Sequence, residues 1–356
     1  MTVGADGARA VRDEDAFDVD AVAAWLREQV PDLTGVPEVR QFAGGASNLT
    51  YLLRYPDREL VLRRPPAGAK PTSGHDMARE YRVQQLLAPV YPYVPTMVAL
   101  CTDHAVLGSD FYVMGRVPGT VLRSRPPAST RLDAGRTRTL CTRVVDLLVE
   151  LHRVDPVATG LDSLGRGPGY IGRQVAGWSK RYHAARTRNV PSFERVMAWL
   201  AANQPDDLAG RVIHGDFRLD NVVLGDDLAP KAVLDWELAT VGDPLMDLGS
   251  ALAYWVQADD DRVFKLTGRQ PTYLPGMLRR EEVVAHYADR TGTPIADWAF
   301  YEVFGLFRLA VIAQQIYYRY HHRQTRNPAF RHYWIMVGYL DYRSRRLIRA
   351  AERKGR

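Results

Sequence analysis

The stretch His214-Gly-Asp-Phe-Arg-Leu-Asp-Asn221 constrains this chain more than any other. The apolar pair Val212-Ile213 precedes it and the run Val222-Val223-Leu224 follows it. A further apolar run, Ala232-Val233-Leu234, ends in Asp235. Short apolar runs separated by polar turns read as short strands joined by loops. Pairing the last two as a hairpin would bring Asn221 and Asp235 together. Chemistry-bearing side chains are then presented at strand ends, where a rigid scaffold holds a polar loop.

The residue types in that pattern suit phosphoryl transfer from a nucleotide, in which one carboxylate accepts a proton while an amide oxygen and a second carboxylate hold Mg²⁺. Asp216 is the candidate base for an attacking hydroxyl. Asn221 and Asp235 are the candidate Mg²⁺ ligands. Arg218, two residues beyond Asp216, faces the same way in extended backbone and can neutralise a transferring phosphoryl group. A lone Asp in a loop would be read as capping its own backbone. That reading leaves His214, Asn221 and Asp235 unexplained. His214 is expected to buttress the loop. Asp243 is expected to cap the helix that starts near Leu245, and Asp247 to brace the loop from that helix. Glu237 is left open as a further ligand.

Composition sets limits. The chain has 356 residues, 46 % of them apolar, which suits two domains with buried cores and excludes a disordered chain. The net charge is +6, and only five of the 47 basic residues are lysines. No tract is dense in Lys or Arg, so the excess reads as a solvated Arg-rich surface, and neither nucleic acid nor membrane is an expected partner. Past Glu302 only Asp341 and Glu352 are acidic, so the C-terminal end should be positive. Cys101 and Cys141 make no disulfide framework or metal spacing. The first residues carry no apolar signal segment, and a cytoplasmic location is expected. Trp298 to Tyr318 is apolar but interrupted by Glu302 and Arg308, which suits a buried helix rather than a membrane span.

Along the chain, residues 1–17 read as a disordered tail. Asp18 to Val30 has helical apolar spacing. Strand-like runs follow at 36–42, 49–55, 59–64, 98–101 and 111–115, with a helix at 75–88 after the third. From 116 onward the pattern is mostly helical, with the short strands around 212–234 embedded in it. The expected fold class is α+β. A small antiparallel sheet with one helix spans 18–115, and a larger, mostly helical lobe spans 116–356.

These motifs resemble the aminoglycoside phosphotransferase family, which shares the two-lobed fold of protein kinases. His214-Gly-Asp-x4-Asn221 is similar to that family's catalytic loop, and Asp235 to its metal-binding Asp. The resemblance implies ATP as donor, with GTP not separated from it, Mg²⁺ as cofactor and a small-molecule hydroxyl acceptor. It makes Gly44, Gly45, Ser47 and Asn48 a glycine-rich loop over phosphates. It sets Arg63 where the family has a phosphate-gripping Lys, with Glu80 as its partner, a swap that is chemically workable because Arg pairs phosphate bidentately. Met114 to Arg116 resembles the backbone hinge that binds adenine. His152 is expected only to pack its helix. Leu62 to Pro66 and His214 to Asn221 also resemble a branch fused to acyl-CoA dehydrogenases. With Phe304, Phe307, Arg308 and the basic, aromatic stretch 317–323 as candidate acceptor-pocket residues, this favours a hydroxyacyl-CoA or hydroxy acid over a polycationic aminoglycoside. Two other readings stand beside the kinase. One is a catalytically inactive kinase-like nucleotide-binding protein, which the Arg63 departure would suit. The other is a metal-dependent phosphoester hydrolase using His214, Asp216 and Asp235.

Overall fold

The computed structural model describes residues 7–42, 48–66, 75–127, 130, 132–296 and 298–354. In chain order its first elements are β1 (Ala8–Arg9), α1 (Val19–Gln29), β2 (Glu38–Phe42), β3 (Leu49–Arg54), β4 (Glu59–Arg64), α2 (Met77–Leu87), β5 (Met97–Cys101), α3 (His104–Leu107), β6 (Phe111–Gly115) and β7 (Thr120–Val121). There follow α4 (Ala134–Arg153), α5 (Tyr170–Ala185), α6 (Glu194–Ala202), β8 (Arg211–Ile213), β9 (Val222–Leu224), β10 (Pro230–Val233) and β11 (Thr240–Gly242). The last are α7 (Pro244–Leu252), α8 (Arg262–Lys265), α9 (Arg280–Thr291), α10 (Trp298–His321) and α11 (Tyr333–Lys354). The chain divides into two compact units. The first is Met1–Thr120 with Val223–Ala239, and the second is Val121–Val222 with Thr240–Arg356.

The first unit is built on a sheet of order β1-β2-β3-β4-β6-β5. Side chains alternate across it. Leu60 and Leu62 of β4 join Tyr51, Leu53, Phe111 and Val113 on the face covered by α1. Val61 points the other way, with Tyr112, Met114 and Met77 of α2. Arg63 shares the parity of Val61 and lies opposite Tyr112 in register, so it emerges on the α2 face.

Residues 8–15, expected as a frayed tail, are ordered instead. Ala8 and Arg9 pair with Phe42 and Gln41 as an edge strand. The Asp15 carbonyl accepts from the Tyr51 hydroxyl at 2.7 Å and from Arg64 Nη2 at 2.7 Å. Those anchors lie far off in sequence, so no local pattern in the tail announced them.

The segment 223–239 belongs to the first unit although its neighbours in sequence do not. The β9–β10 turn closes with Gly225 N–H donating to Ala229 O at 2.8 Å. Val233 N–H donates to Tyr93 O at 2.7 Å. Trp236 is fully buried, edge-on to Tyr91 at 5.9 Å between centroids.

The second unit is helical around α10, which packs against α5, α6, α7 and α11. Of the helix's most apolar window 72 % is buried, the outcome expected of a core helix. The strands β8 and β11 pair antiparallel, Ile213 opposite Thr240. Asp243 caps α7, accepting from Leu245 N at 2.8 Å and Met246 N at 3.0 Å, with Pro244 in the first turn. α7 stops at Leu252. There the chain turns so that the buried Trp255 can donate Nε1–H to Leu278 O at 2.9 Å.

α7 and α10 approach through two glycines. A Cβ on Gly305 would lie 2.2 Å from Gly249 O, and one on Gly249 would lie 2.5 Å from Tyr301 O. Gly305→Ala must therefore push α7 and α10 apart, at a cost of about 1–3 kcal/mol or more. Gly338→Ala on α11, where a Cβ meets nothing within 4 Å, should be neutral or slightly stabilising by helix propensity. Urea denaturation of the two variants checks this contrast, and equal stabilities would refute the close-contact reading.

Candidate active site

In the first unit the candidate site centres on Arg63. Its Nη1 lies 3.0 Å from Glu80 Oε1 on α2, and its Nη2 lies 2.9 Å from Asp235 Oδ1. Glu237 Oε2 lies 3.8 Å from the same Nη2. Arg63 is 8 % exposed and Glu80 1 %. Burial opposes the charge on Arg63, but Glu80, the Tyr112 oxygen and Asp235 outweigh it and hold the guanidinium well above its ordinary pKa. Burial also pushes the Glu80 carboxyl up, against the pull of Arg63. The pairing of Arg63 with Glu80 is the contact the sequence suggested. The contact with Asp235 was not foreseen. Asp235 adopts the left-handed conformation, φ 72° and ψ 58°. A non-glycine residue pays for that geometry, and it recurs where function requires a side chain to be aimed.

Asn48, expected on the phosphates, is 1 % exposed and turned inward. Its Nδ2 donates to Glu237 Oε2 at 2.9 Å, and its Oδ1 lies 3.0 Å from His75 Nδ1. Its side chain therefore ties the end of β3's loop to the segment after Asp235 rather than facing outward. Glu237 is likewise occupied within the unit, and Arg79 Nη1 donates to its carbonyl at 3.1 Å. Gly44, Gly45 and Ser47 lie outside the described residues. At the expected hinge, Val61 and Met97 flank Met114. Gly115 N–H donates to Thr96 O at 2.8 Å and Arg116 N–H to Glu59 O at 3.2 Å, while the Arg116 side chain pairs with Glu59. Arg116 N–H is thus already spent and is not available as an adenine donor.

In the second unit the loop after β8 is held from beneath by one carboxylate. Asp247 on α7, 2 % exposed, accepts from His214 N at 2.8 Å and Gly215 N at 2.9 Å. Its Oδ2 also lies 3.2 Å from His152 Nε2 on α4, and His152 Nδ1 lies 2.7 Å from the Tyr287 hydroxyl on α9. His152 thus bridges Asp247 and the Tyr287 hydroxyl through its two ring nitrogens. Burial would raise the Asp247 pKa, but its bond to His152, the two neighbouring imidazoles and the His214 amide hold it below the ordinary carboxylate value. The expected brace is present. His152, expected only to pack, orients it. Gly215 takes φ 80°, which lets the chain turn between the two braced amides.

His214 is fully buried, and its Nδ1 accepts Asp216 N–H at 3.2 Å. Asn221 Nδ2 donates to Asp216 O at 3.0 Å, closing the loop on itself. Arg218 lies 3.9 Å from Asp216 Oδ2 and is held by Asp220, Nε to Oδ1 at 3.0 Å and Nη2 to Oδ2 at 3.2 Å. Its guanidinium also lies over the Tyr254 ring at 4.9 Å. Asp220, which anchors Arg218, was missed because an acid beside an Arg in sequence carries no signal of its own.

The structure holds together Arg63, Glu80 and Asp235 in the first unit, and Asp216, Arg218 and Asn221 in the second. Among the described residues no cluster of three His, Cys, Asp or Glu side chains could hold a metal alone. Asn221, whose amide nitrogen is used by Asp216 O, offers its oxygen, and Asp235 offers a carboxylate. Few hard oxygen donors suit Mg²⁺, which keeps water and substrate phosphate in its shell. Each of these side chains, within its own unit, is a hard oxygen donor of the kind that ion takes.

Residues 38–283 match the family described as Phosphotransferase enzyme family. The chain is 38 % identical over 323 residues to acyl-CoA dehydrogenase family member 10 of Mus musculus, covering 90 % of this chain and 30 % of that protein. It spans less than half the length of the curated relatives it matches. Among solved structures, a putative aminoglycoside phosphotransferase from Ralstonia eutropha superposes with a TM-score of 0.79 at 30 % identity, covering 94 % of this chain and 99 % of that one. An aminoglycoside phosphotransferase in ternary complex with AMP-PNP and hygromycin B shares the fold, with a TM-score of 0.55 at 14 % identity over 92 % of this chain and 98 % of that one. The fold is that of the protein-kinase-like phosphotransferases, as the sequence resemblance implied.

Two consequences concern stability. Arg63→Met strands the buried Glu80 carboxylate, at a cost of about 3–5 kcal/mol, and removing both charges together should recover most of it. Thermal melts of the single and double variants test this coupling. The Asp247 brace depends on pH. Its folded pKa lies below the ordinary value of 3.8, so its contribution is complete above that value and is lost as pH falls through the lower, folded one. The stability gap between wild type and Asp247→Asn should be flat from pH 7 to 5 and narrow below pH 4 in denaturant titrations. A gap that widens on acidification would contradict the assignment.

Proposed function

We propose that this chain, which belongs to the phosphotransferase enzyme family, moves the γ-phosphoryl group of Mg-ATP to a hydroxyl of a small acid or its CoA thioester. The observation that carries the reading is the braced loop presenting Asp216. Two backbone amides locked on Asp247 fix the turn, and Asn221 closes it. Asp216 orients the acceptor hydroxyl and takes its proton as the oxygen bonds to phosphorus. The bond from the γ-phosphorus to the bridging oxygen breaks, and ADP leaves with that electron pair. Arg218, steadied by Asp220, offsets charge on the phosphoryl oxygens in flight. Mg²⁺, with Asn221 and Asp235 as its protein ligands, would neutralise the nucleotide phosphates. Arg63 takes the place of the family's lysine. Its pairing with Glu80 fixes the guanidinium on the α2 face of β4.

The hydrolase reading needs His214 as a metal ligand or proton carrier. Its full burial and its Nδ1 bond to Asp216 N–H favour a structural imidazole instead. A hydroxylated acid or acyl-CoA as acceptor draws support from the fused dehydrogenase relatives and from the scarcity of acidic side chains in the C-terminal helices, where a polyamine would need them. The donor draws support from a neighbour holding AMP-PNP.

Asp216→Asn should lower turnover by about 10²–10⁴-fold, the usual worth of a positioned base, while the thermal shift on adding ATP and Mg²⁺ persists. Coupled ADP release across a panel of hydroxy acids and their CoA thioesters measures the first part. Wild-type turnover in the variant would overturn the mechanism.

A further inference from the structure

Arg308 on α10 is a buried cation without a counter-charge among the described residues. It is 6 % exposed, and its one hydrogen bond among the described residues runs from Nη2 to Gly215 O at 2.5 Å. Gly215 immediately precedes Asp216. The guanidinium lies over the Trp178 ring of α5 at 5.2 Å, and Arg181, three residues further along that helix, lies over the same ring at 4.5 Å. Neither arginine forms an ion pair among the described residues. Buried Arg64 also lacks an ion pair among the described residues but spends its donors on the Asp15 carbonyl and the Tyr51 hydroxyl, whereas the remaining buried or half-buried arginines near acids are paired. Arg63 pairs with Glu80 and Asp235, and Arg280 and Arg343 share Asp260 at 2.7 and 3.0 Å. A buried guanidinium such as Arg308 is costly unless paired, and the more exposed Arg181 guanidinium over the same indole repels it. The mutual effect is visible in Arg181, which burial and Arg308 together draw below its ordinary pKa.

The surroundings point the same way. Tyr254 feels the charges of Asp216, Arg308 and Arg218. Tyr170 feels Arg308 and Asp247. Arg308 therefore belongs to the neighbourhood of the candidate base, within a set of aromatic rings that leaves most of its donor fork without a protein acceptor. A planar fork of this kind matches a carboxylate or phosphate bidentately.

We propose that Arg308, Trp178 and Arg181 form the subsite that takes the anionic group of the acceptor. The anion is either the carboxylate of a hydroxy acid or a phosphate of a CoA thioester. Binding there supplies the missing counter-charge and holds the acceptor beside Asp216. The inference rests on the kinase reading above and adds to it the residues that select the acceptor.

The test uses Arg181→Gln, at an exposed position that does not touch the loop, and Arg308→Lys, which keeps the charge but loses the fork. Acceptors are 3-hydroxybutyrate against its methyl ester, and 3-hydroxybutyryl-CoA against the N-acetylcysteamine thioester, which has no phosphate. The expected result is a preference for one anionic acceptor over its neutral partner in the wild type, carried by KM. Each variant should reduce that preference about tenfold, the scale of one charge-assisted contact. The member of the panel that shows the preference identifies the source of the anion. Equal losses toward charged and neutral acceptors would mean a purely structural role and would overturn the proposal. If no acceptor turns over, the kinase reading fails, but titration calorimetry of 3-hydroxybutyrate and free CoA still decides the subsite. Binding to wild type that weakens in both variants supports it, and equal or absent binding refutes it.

Discussion

The second unit's chemistry depends on one buried carboxylate. Asp247 accepts two consecutive backbone amides of the loop that carries Asp216, and it is itself oriented by His152 and Tyr287. Three helices, α4, α7 and α9, therefore meet on a loop only a few residues long. An ion in that position pays heavily for lost hydration. The cost is offset because each oxygen receives a donor, and the same donors depress the group's pKa. Rigidity at the loop is the return. A base must sit within hydrogen-bond reach of its proton, and small misplacements are expensive in rate.

The first unit solves a related problem with a cation. A lysine at position 63 would present a single point charge. The arginine presents a fork, and its two terminal nitrogens are divided between Glu80 on α2 and Asp235 after β10. The substitution thus changes connectivity more than charge. It links a helix and a hairpin that a lysine could reach only one at a time, and it holds in place an Asp whose backbone is already in the left-handed region.

Much of this was legible in the residues. The helices followed from apolar spacing, because each buries one face. The loop announced itself through residue types whose spacing no single turn explains. Legibility failed where partners come from elsewhere in the chain. The order of residues 8–15 rests on Tyr51 and Arg64. The inward turn of Asn48 rests on Glu237, and the role of His152 on Tyr287. Asp220 looked like an ordinary surface charge until its neighbours were known, and Arg308, one of the basic residues in the C-terminal helices, carried no sign of its bond to Gly215 O. A glycine-rich motif and a hinge motif describe local backbone, and neither reveals which of its donors are already satisfied, as with Arg116.

The placement of 223–239 governs how the molecule can be made. The first unit is interrupted by about a hundred residues of the second, and its core includes Trp236 against Tyr91 and the tie from Asn48 to Glu237. On the ribosome, at about 5–20 residues per second, the sheet is complete long before its last buried tryptophan has been synthesised. During that interval the face that will receive the hairpin waits open. The order of folding is therefore written into the chain's connectivity. A fragment ending at residue 120 would carry an exposed Tyr91 and a Glu80–Arg63 pair lacking its third partner, and would be prone to aggregate rather than to stand as a separate domain.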